Sequence, residues 1–248
     1  MCNLILLANK CPKSVEGLGN DDPIPMLRRK AIYILMERGE TDLYSFTSRL
    51  NRDNLLTPAK IRFLWEGMLE ALRYLHDRRV IHSDIKPANF ILVNGVVKII
   101  DFGFAKVLPP EEKYATRKYI AGTKDFLSPE TLSCYVIVDG VIDIDETKRR
   151  TVKVYLQSDI WALGVILYQW VYNEPLYATL PGGRVAKIKA TIDSTPLVLE
   201  PIQDLDLFDT LTSCLHKNPL KRPSVEKLLS HAYLHPVHKR YDAKIKEN

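Results

Sequence analysis

Four polar side chains within eighteen residues of each other have the types that metal and phosphate chemistry needs: Asp84, Lys86, Asn89 and Asp101. Two apolar runs, Phe90 to Val93 and Val96 to Ile100, are joined by Asn94-Gly95. Asn-Gly between such runs is the strongest short-range hairpin signal, because both central residues of the tight turn need positive φ. A two-residue turn pairs Val93 with Val96 and Leu92 with Val97. Carried outward, this register sets Asn89 opposite Ile100 and Asp101 opposite Ala88. Asn89 and Asp101 are then diagonal neighbours at the open end, within about 8 Å. Asp84 and Lys86 lie in the loop feeding the same end. Two carboxylates and a carboxamide are hard oxygen ligands for Mg²⁺, and an ammonium beside them suits phosphate. Singly, Asn89 reads as a turn cap and Asp101 as a turn-initiating carboxylate. Turn chemistry does not account for all four converging.

The elements that must hold this set are partly legible. Thr57-Pro58 opens a helix, with a capping hydroxyl and a proline at the first helical position. Ile61, Leu64, Trp65, Met68, Leu69, Leu72 and Leu75 recur at three- and four-residue spacing and give it one apolar stripe, ending near Asp77-Arg78. Ile160 to Tyr172 is apolar nearly all round and reads as a buried helix. Asp204 to Leu215 and Val225 to Ala232 read as shorter helices. Asn3 to Leu7 and Ala31 to Met36 read as strands flanking a turn-rich loop over 9–30. After residue 105 the sequence is polar and aperiodic up to Ser128-Pro129-Glu130, and a further loop is expected over 139–151. The order is a little β, then mostly α.

His82-Ser83-Asp84-Ile85-Lys86-Pro87-Ala88-Asn89 resembles the H-R-D-x-K-P-x-N catalytic loop of protein kinases, and Asp101-Phe102-Gly103 resembles the D-F-G that follows it. Ser128-Pro129-Glu130 stands for A-P-E. Asp159-Ile160-Trp161-Ala162-Leu163-Gly164 matches a D-x-W-x-x-G helix start, and Pro219 with Arg222 matches the late arginine that pairs with the glutamate of A-P-E. The resemblance covers roughly residues 31 to 236. It implies an α+β, protein-kinase-like fold: a mostly helical C-lobe over 39–236 with a β-hairpin at the catalytic loop, an incomplete N-lobe sheet over 1–38, and a basic tail over 237–248.

Carried over residue by residue, the resemblance makes Asp84 the acceptor of the substrate hydroxyl's proton and Lys86 the cation at the transferring phosphate. Asn89 and Asp101 become the ligands of Mg²⁺ bridging the phosphates of ATP. Met36 becomes the gatekeeper, the backbone of Glu37, Arg38 and Gly39 holds adenine, and Ile91 packs under the ring, with Ile100 also on the nucleotide side. Lys86 two residues after Asp84, with Gly122-Thr123 before Ser128-Pro129-Glu130, is the serine/threonine pattern.

HSDIKPANF and IYILMERGETDL resemble the TTK-like, monopolar-spindle dual-specificity kinases, in which serine replaces the arginine of H-R-D. That resemblance implies Ser/Thr phosphorylation with some tyrosine activity, protein substrates that include kinetochore proteins, and a nuclear, kinetochore location. Ser83 cannot grip an activation-loop phosphate as the arginine does. Lys106, Lys113, Arg117 and Lys118 are the candidate substitutes. Tyr114, Thr116, Tyr119 and Thr123 are candidate phosphosites, or plain surface hydroxyls. No glycine-rich phosphate loop, third-strand lysine or helix glutamate is recognisable, and Gly17-Leu18-Gly19 lies just before the hinge strand, where a phosphate loop cannot be. The expectation is a truncated N-lobe with weak ATP binding, against the alternative of a pseudokinase acting as a binding module. A small-molecule kinase of the aminoglycoside type would lack both the Ser-Pro-Glu segment and the Asp159 helix start.

The 248 residues, 46% hydrophobic and 26% charged, suit one globular unit or two small lobes. The net charge of +5 is modest, and the basic runs at 148–150 and 238–246 read as solvated surface. No aromatic residues interleave with them at the spacing of RNA-binding motifs, which argues against nucleic acid. Cys2, Cys11, Cys134 and Cys214 form no C-x-x-C pair, so thiols in a reducing, intracellular compartment are expected and zinc is not. His231, His235 and His238 read as surface histidines. The apolar start is too short for a signal sequence or membrane span, so no membrane partner is expected.

Overall fold

A computed structural model describes residues 5–6, 34–35, 37–138, 141–144, 152–193 and 197–236. Contacts divide the chain into two units, Met1–Gly39 and Glu40–Asn248. In the first, β1 (Ile5–Leu6) pairs antiparallel with β2 (Ile34–Leu35), the two apolar runs expected to be strands. The 9–30 loop and Met36 lie outside the described residues. Glu37 to Gly39 are described and have no regular structure.

The second unit begins with β3 (Thr41–Asp42) and α1 (Leu43–Arg52). Asp42 caps α1, its Oδ1 accepting the Ser45 N–H at 2.9 Å. Next comes α2 (Pro58–His76), with Thr57 at its N-cap and Pro58 at N1. Every apolar residue of its predicted stripe, Ile61 through Leu75, is buried. After β4 (Val80–Ile81), β5 (Phe90–Val93) and β6 (Val96–Ile99) form the hairpin in the expected register, Val93 opposite Val96 and Leu92 opposite Val97. Asn94 and Gly95 both take positive φ, +50° and +76°, as that turn requires. Strand β3 adds to β5 to make a three-stranded sheet.

The polar stretch after residue 105 is more ordered than its aperiodic sequence suggests. It contains β7 (Lys106–Val107), paired with β4, and β8 (Ala115–Arg117). The short helix α3 (Pro129–Leu132) then precedes a second hairpin, β9 (Tyr135–Val138) with β10 (Val141–Ile144). The described part of the expected loop over 139–151, Val141–Ile144, is thus a strand. Strand β11 (Val152–Val154) returns to pair with β8. Ile81, Leu108, Ala115 and Val154 pack into a small core of their own beneath this segment.

Helix α4 (Leu156–Tyr172) is the centre of the main core. Twelve of its residues are buried, on all sides, as its sequence implied. It ends at Asn173 in the left-handed conformation, φ +56°. Helix α5 (Gly183–Ile192) follows, then α6 (Leu205–Cys214), capped by Asp204, and α7 (Val225–Leu229). The last is shorter than the expected 225–232, stopping at Ser230. Cys134 and Cys214 are buried thiols. Among the described residues no helix is long and apolar enough to cross a membrane. The architecture is α+β, with helices dominating and the sheets short.

Candidate active site

The loop between β4 and β5 is fixed from below by one carboxylate. Asp159, in the first turn of α4 and 1% exposed, accepts the His82 N–H at 2.8 Å and the Ser83 N–H at 2.9 Å, one on each oxygen. His76 Nε2, at the end of α2, stands 3.1 Å from the same carboxylate. The buried imidazole of His82 accepts the Asp84 N–H on Nδ1 at 3.2 Å. Its Nε2 therefore carries the hydrogen and donates to the Ile100 carbonyl at 3.1 Å. This ring also meets Phe102 edge-on, with centroids 5.6 Å apart. The motif match to Asp159 was visible in sequence. Its role as anchor of the loop was not, because it depends on two backbone N–H groups about seventy-five residues away.

Asp84 is 3% exposed, and both its oxygens are occupied. Oδ1 accepts from Thr123 N and Thr123 Oγ1, each at 2.7 Å. Oδ2 accepts from Lys86 Nζ at 2.8 Å and Asn89 Nδ2 at 3.0 Å. Lys86 also donates to Thr123 Oγ1 at 3.0 Å. Burial alone would raise the Asp84 carboxyl, but hydrogen bonds from Lys86 and Thr123 and the charge of Lys86 outweigh it. Together they hold the group below the ordinary carboxylate range. Asp84 is therefore ionised at neutral pH. Thr123 is no plain surface hydroxyl, since it is committed to this network. Gly122 before it has φ +105°, and a Cβ there would lie 2.4 Å from the Ser83 carbonyl oxygen, so only glycine allows the approach.

Asn89 sits as the register requires, its carbonyl accepting the Ile100 N–H at 2.9 Å, one step beyond the last paired residue of β6. Asp101 is the next residue, exposed, with φ +63° and Oδ1 accepting the Gly103 N–H at 3.2 Å. Asn89 Nδ2 is turned to Asp84 O and Oδ2, so its carboxamide oxygen is the atom left to face a cation. Ile91 is partly buried in β5 and Ile100 follows β6. Among the described residues no group of three or more His, Cys, Asp or Glu could hold a metal by itself. One carboxylate and one carboxamide fit a hard cation that completes its shell with water and a ligand's phosphate oxygens, as Mg²⁺ does. They do not fit a closed structural site.

The expected pair between Glu130 and Arg222 is present and buried. Arg222 Nη1 and Nη2 donate to Glu130 Oε1 and Oε2, both at 2.8 Å, and Ser158 Oγ donates to Oε1 at 2.7 Å. Of the candidate activation-segment cations, Lys113 and Lys118 are exposed. Lys106 donates to the Thr116 carbonyl at 2.6 Å. Arg117 is turned inward and buried. Among the candidate phosphosites Thr116 and Tyr119 are exposed, while Tyr114 is partly buried against Tyr155.

Comparison with known proteins agrees with the geometry. The family model for the protein kinase domain matches residues 25–234. Over 204 residues the chain is 35% identical to Dual specificity protein kinase TTK of Mus musculus, covering 82% of this chain and 23% of that protein. Dual specificity protein kinase Ttk of Danio rerio is 34% identical over 204 residues, 82% of this chain and 20% of that one. Serine/threonine-protein kinase MPS1 of Saccharomyces cerevisiae is 32% identical over 211 residues, 83% of this chain and 27% of the yeast protein. The chain thus spans about a quarter of the length of these curated relatives.

Proposed function

The chain belongs to the protein kinase family, and from that premise we propose that it transfers the γ-phosphate of ATP to serine and threonine hydroxyls of proteins, with tyrosine a further acceptor. The observation that carries the proposal is the Asp84 carboxylate, buried and ionised, with Lys86, Thr123 and Asn89 fixing both its oxygens. An alcohol loses its proton late in phosphoryl transfer, so a carboxylate of ordinary or lowered pKa suffices as acceptor. Asp84 orients the incoming hydroxyl and takes its proton. Lys86, already 2.8 Å from Asp84, stands close enough to offset charge developing on the transferred group. Asn89 and Asp101 would hold Mg²⁺. When bound, that ion neutralises charge on the nucleotide's phosphates. In the second unit, Ile91 and Ile100 are proposed to face the nucleotide.

Protein substrates follow from the family. Kinetochore proteins as substrates, a nuclear kinetochore location and spindle-checkpoint signalling rest on the TTK-like resemblance and belong to the same proposal. Radiolabelled ATP with Mg²⁺ and purified protein tests the reading, using a generic acceptor such as casein. Label transfer by the parent and none by Asp84→Ala is expected. Equal signal from the two would overturn it in favour of a pseudokinase.

A further inference from the structure

The catalytic loop carries serine, not arginine, directly before Asp84, yet a guanidinium lies beside it. It comes from Arg117, the last residue of β8. Arg117 is 8% exposed. Its Nη2 donates to Ser83 Oγ at 2.9 Å and also to the Phe104 carbonyl. Ser83 is held in the left-handed region, φ +68°, with its N–H on Asp159, so its hydroxyl is offered at a fixed place. Phe104 immediately follows Asp101-Phe102-Gly103. One side chain therefore bridges the loop bearing Asp84 and the segment bearing Asp101. Burial works against the charge of Arg117, and Tyr119 and Asp159 work for it. Its backbone is secured separately, because Arg117 pairs with Val152 in the β8–β11 ladder.

We propose that Arg117 is a positioning residue for phosphoryl transfer, tying the Asp84 loop to the Asp101 segment in place of the arginine that the loop lacks. The inference rests on the kinase reading. An arginine on the loop needs an anionic partner delivered by the activation segment. Here the segment delivers the cation, and its acceptors are a hydroxyl and a carbonyl already in position. The tie is complete without a phosphate, and Arg117 is not available as the grip for one.

The test uses the full chain and four variants, Arg117→Met, Arg117→Lys, Ser83→Ala and the Ser83→Ala/Arg117→Met double. Amide hydrogen exchange is followed over 82–86 and 102–105, alongside kcat and KM for ATP. Hydrogen bonds to a charged group are worth enough to change opening about ten-fold or more. Arg117→Met should accelerate exchange by that factor in both segments while leaving α4 protected. It should lower kcat with little change in KM, and Arg117→Lys should recover part of both. Ser83→Ala should accelerate 102–105, twenty residues away in sequence, and serves where Arg117→Met does not fold. The double variant should show less than the sum of the two. Acceleration confined to 115–117, or identical behaviour of Arg117→Met and Arg117→Lys, would overturn the proposal. If the parent transfers no more label than Asp84→Ala, the kinase reading fails, and the exchange data still decide whether the tie exists.

Discussion

Removing the Arg222 head group isolates a buried carboxylate, and the structure sets the size of the effect. The Arg222 side chain is fully buried and that of Glu130 is 11% exposed. Beyond its two bonds to Glu130, Arg222 donates to the carbonyls of His216, Gln157 and Lys217 at 2.7, 2.9 and 3.1 Å. It also lies 5.0 Å over the Trp161 ring. Arg222→Leu leaves Glu130 with Ser158 as its remaining side-chain donor and strands three carbonyls. Breaking one side of a buried pair costs about 3–5 kcal/mol, a large part of the roughly 5–15 kcal/mol that holds a domain folded. At about 2–4 °C per kcal/mol for a chain of this size, the melting temperature should fall roughly 6–20 °C. Urea titration at pH 7.5 measures the loss directly. The pH dependence carries a sign. Burial would raise the Glu130 carboxyl, but Arg222 hydrogen bonds, Arg222 charge and Ser158 together hold it below its ordinary value. A depressed folded pKa gives stability that is present above the unfolded value and lost as pH falls through the folded one. The parent should therefore lose this contribution below about pH 4.5, and Arg222→Leu, having none to lose, should show a flatter acid limb. The double variant Glu130→Leu/Arg222→Leu should recover part of the loss, since no charge is stranded. A single variant within about 1 kcal/mol of the parent would refute the reasoning.

Three further outcomes follow from named contacts. Gly164→Ala puts a Cβ 2.8 Å from Cys214 Cβ and should destabilise the α4–α6 packing by about 1–3 kcal/mol in denaturant unfolding. Asp159→Asn keeps the volume but replaces one of the acceptors of His82 and Ser83 N–H with a donor. Amide exchange at those two residues should rise about ten-fold or more, and phosphate transfer should fall with it. Lys86→Met removes a hydrogen bond and a charge that hold the Asp84 carboxyl down. The acid limb of the pH–rate profile should therefore move to higher pH, and an unchanged limb would mean Lys86 does not set the Asp84 ionisation.

The hairpin was legible because its turn chemistry is local. Asn94-Gly95 fixes the register, and the register by itself places Asn89 against Ile100. Helix α2 was legible from cap, proline and stripe, and α4 from its uniform apolarity. Helix α1 was overlooked although Asp42 caps it, because Ser45, Thr47 and Ser48 are indifferent helix formers. Helix α5 begins at Gly183 after a left-handed Gly182 and buries only Ile188 and Thr191, so no stripe announces it. The β9–β10 hairpin was missed although Asp139-Gly140 carries the same signal as Asn94-Gly95. What sequence could not show were partnerships across long separations. Arg117 read as one of four candidate cations for an activation-loop phosphate, and the structure instead buries it at the β8–β11 ladder.

The Asp159 anchor has a wider consequence. Its carboxylate belongs to a helix buried on all sides, so the catalytic loop borrows its rigidity from the core rather than from its own sequence. Heat or denaturant that unfolds α4 should therefore extinguish turnover in the same event. A small molecule meant to pry that loop aside would have to displace it from a buried helix, whereas the β8–β11 ladder touches it through the side chain of Arg117.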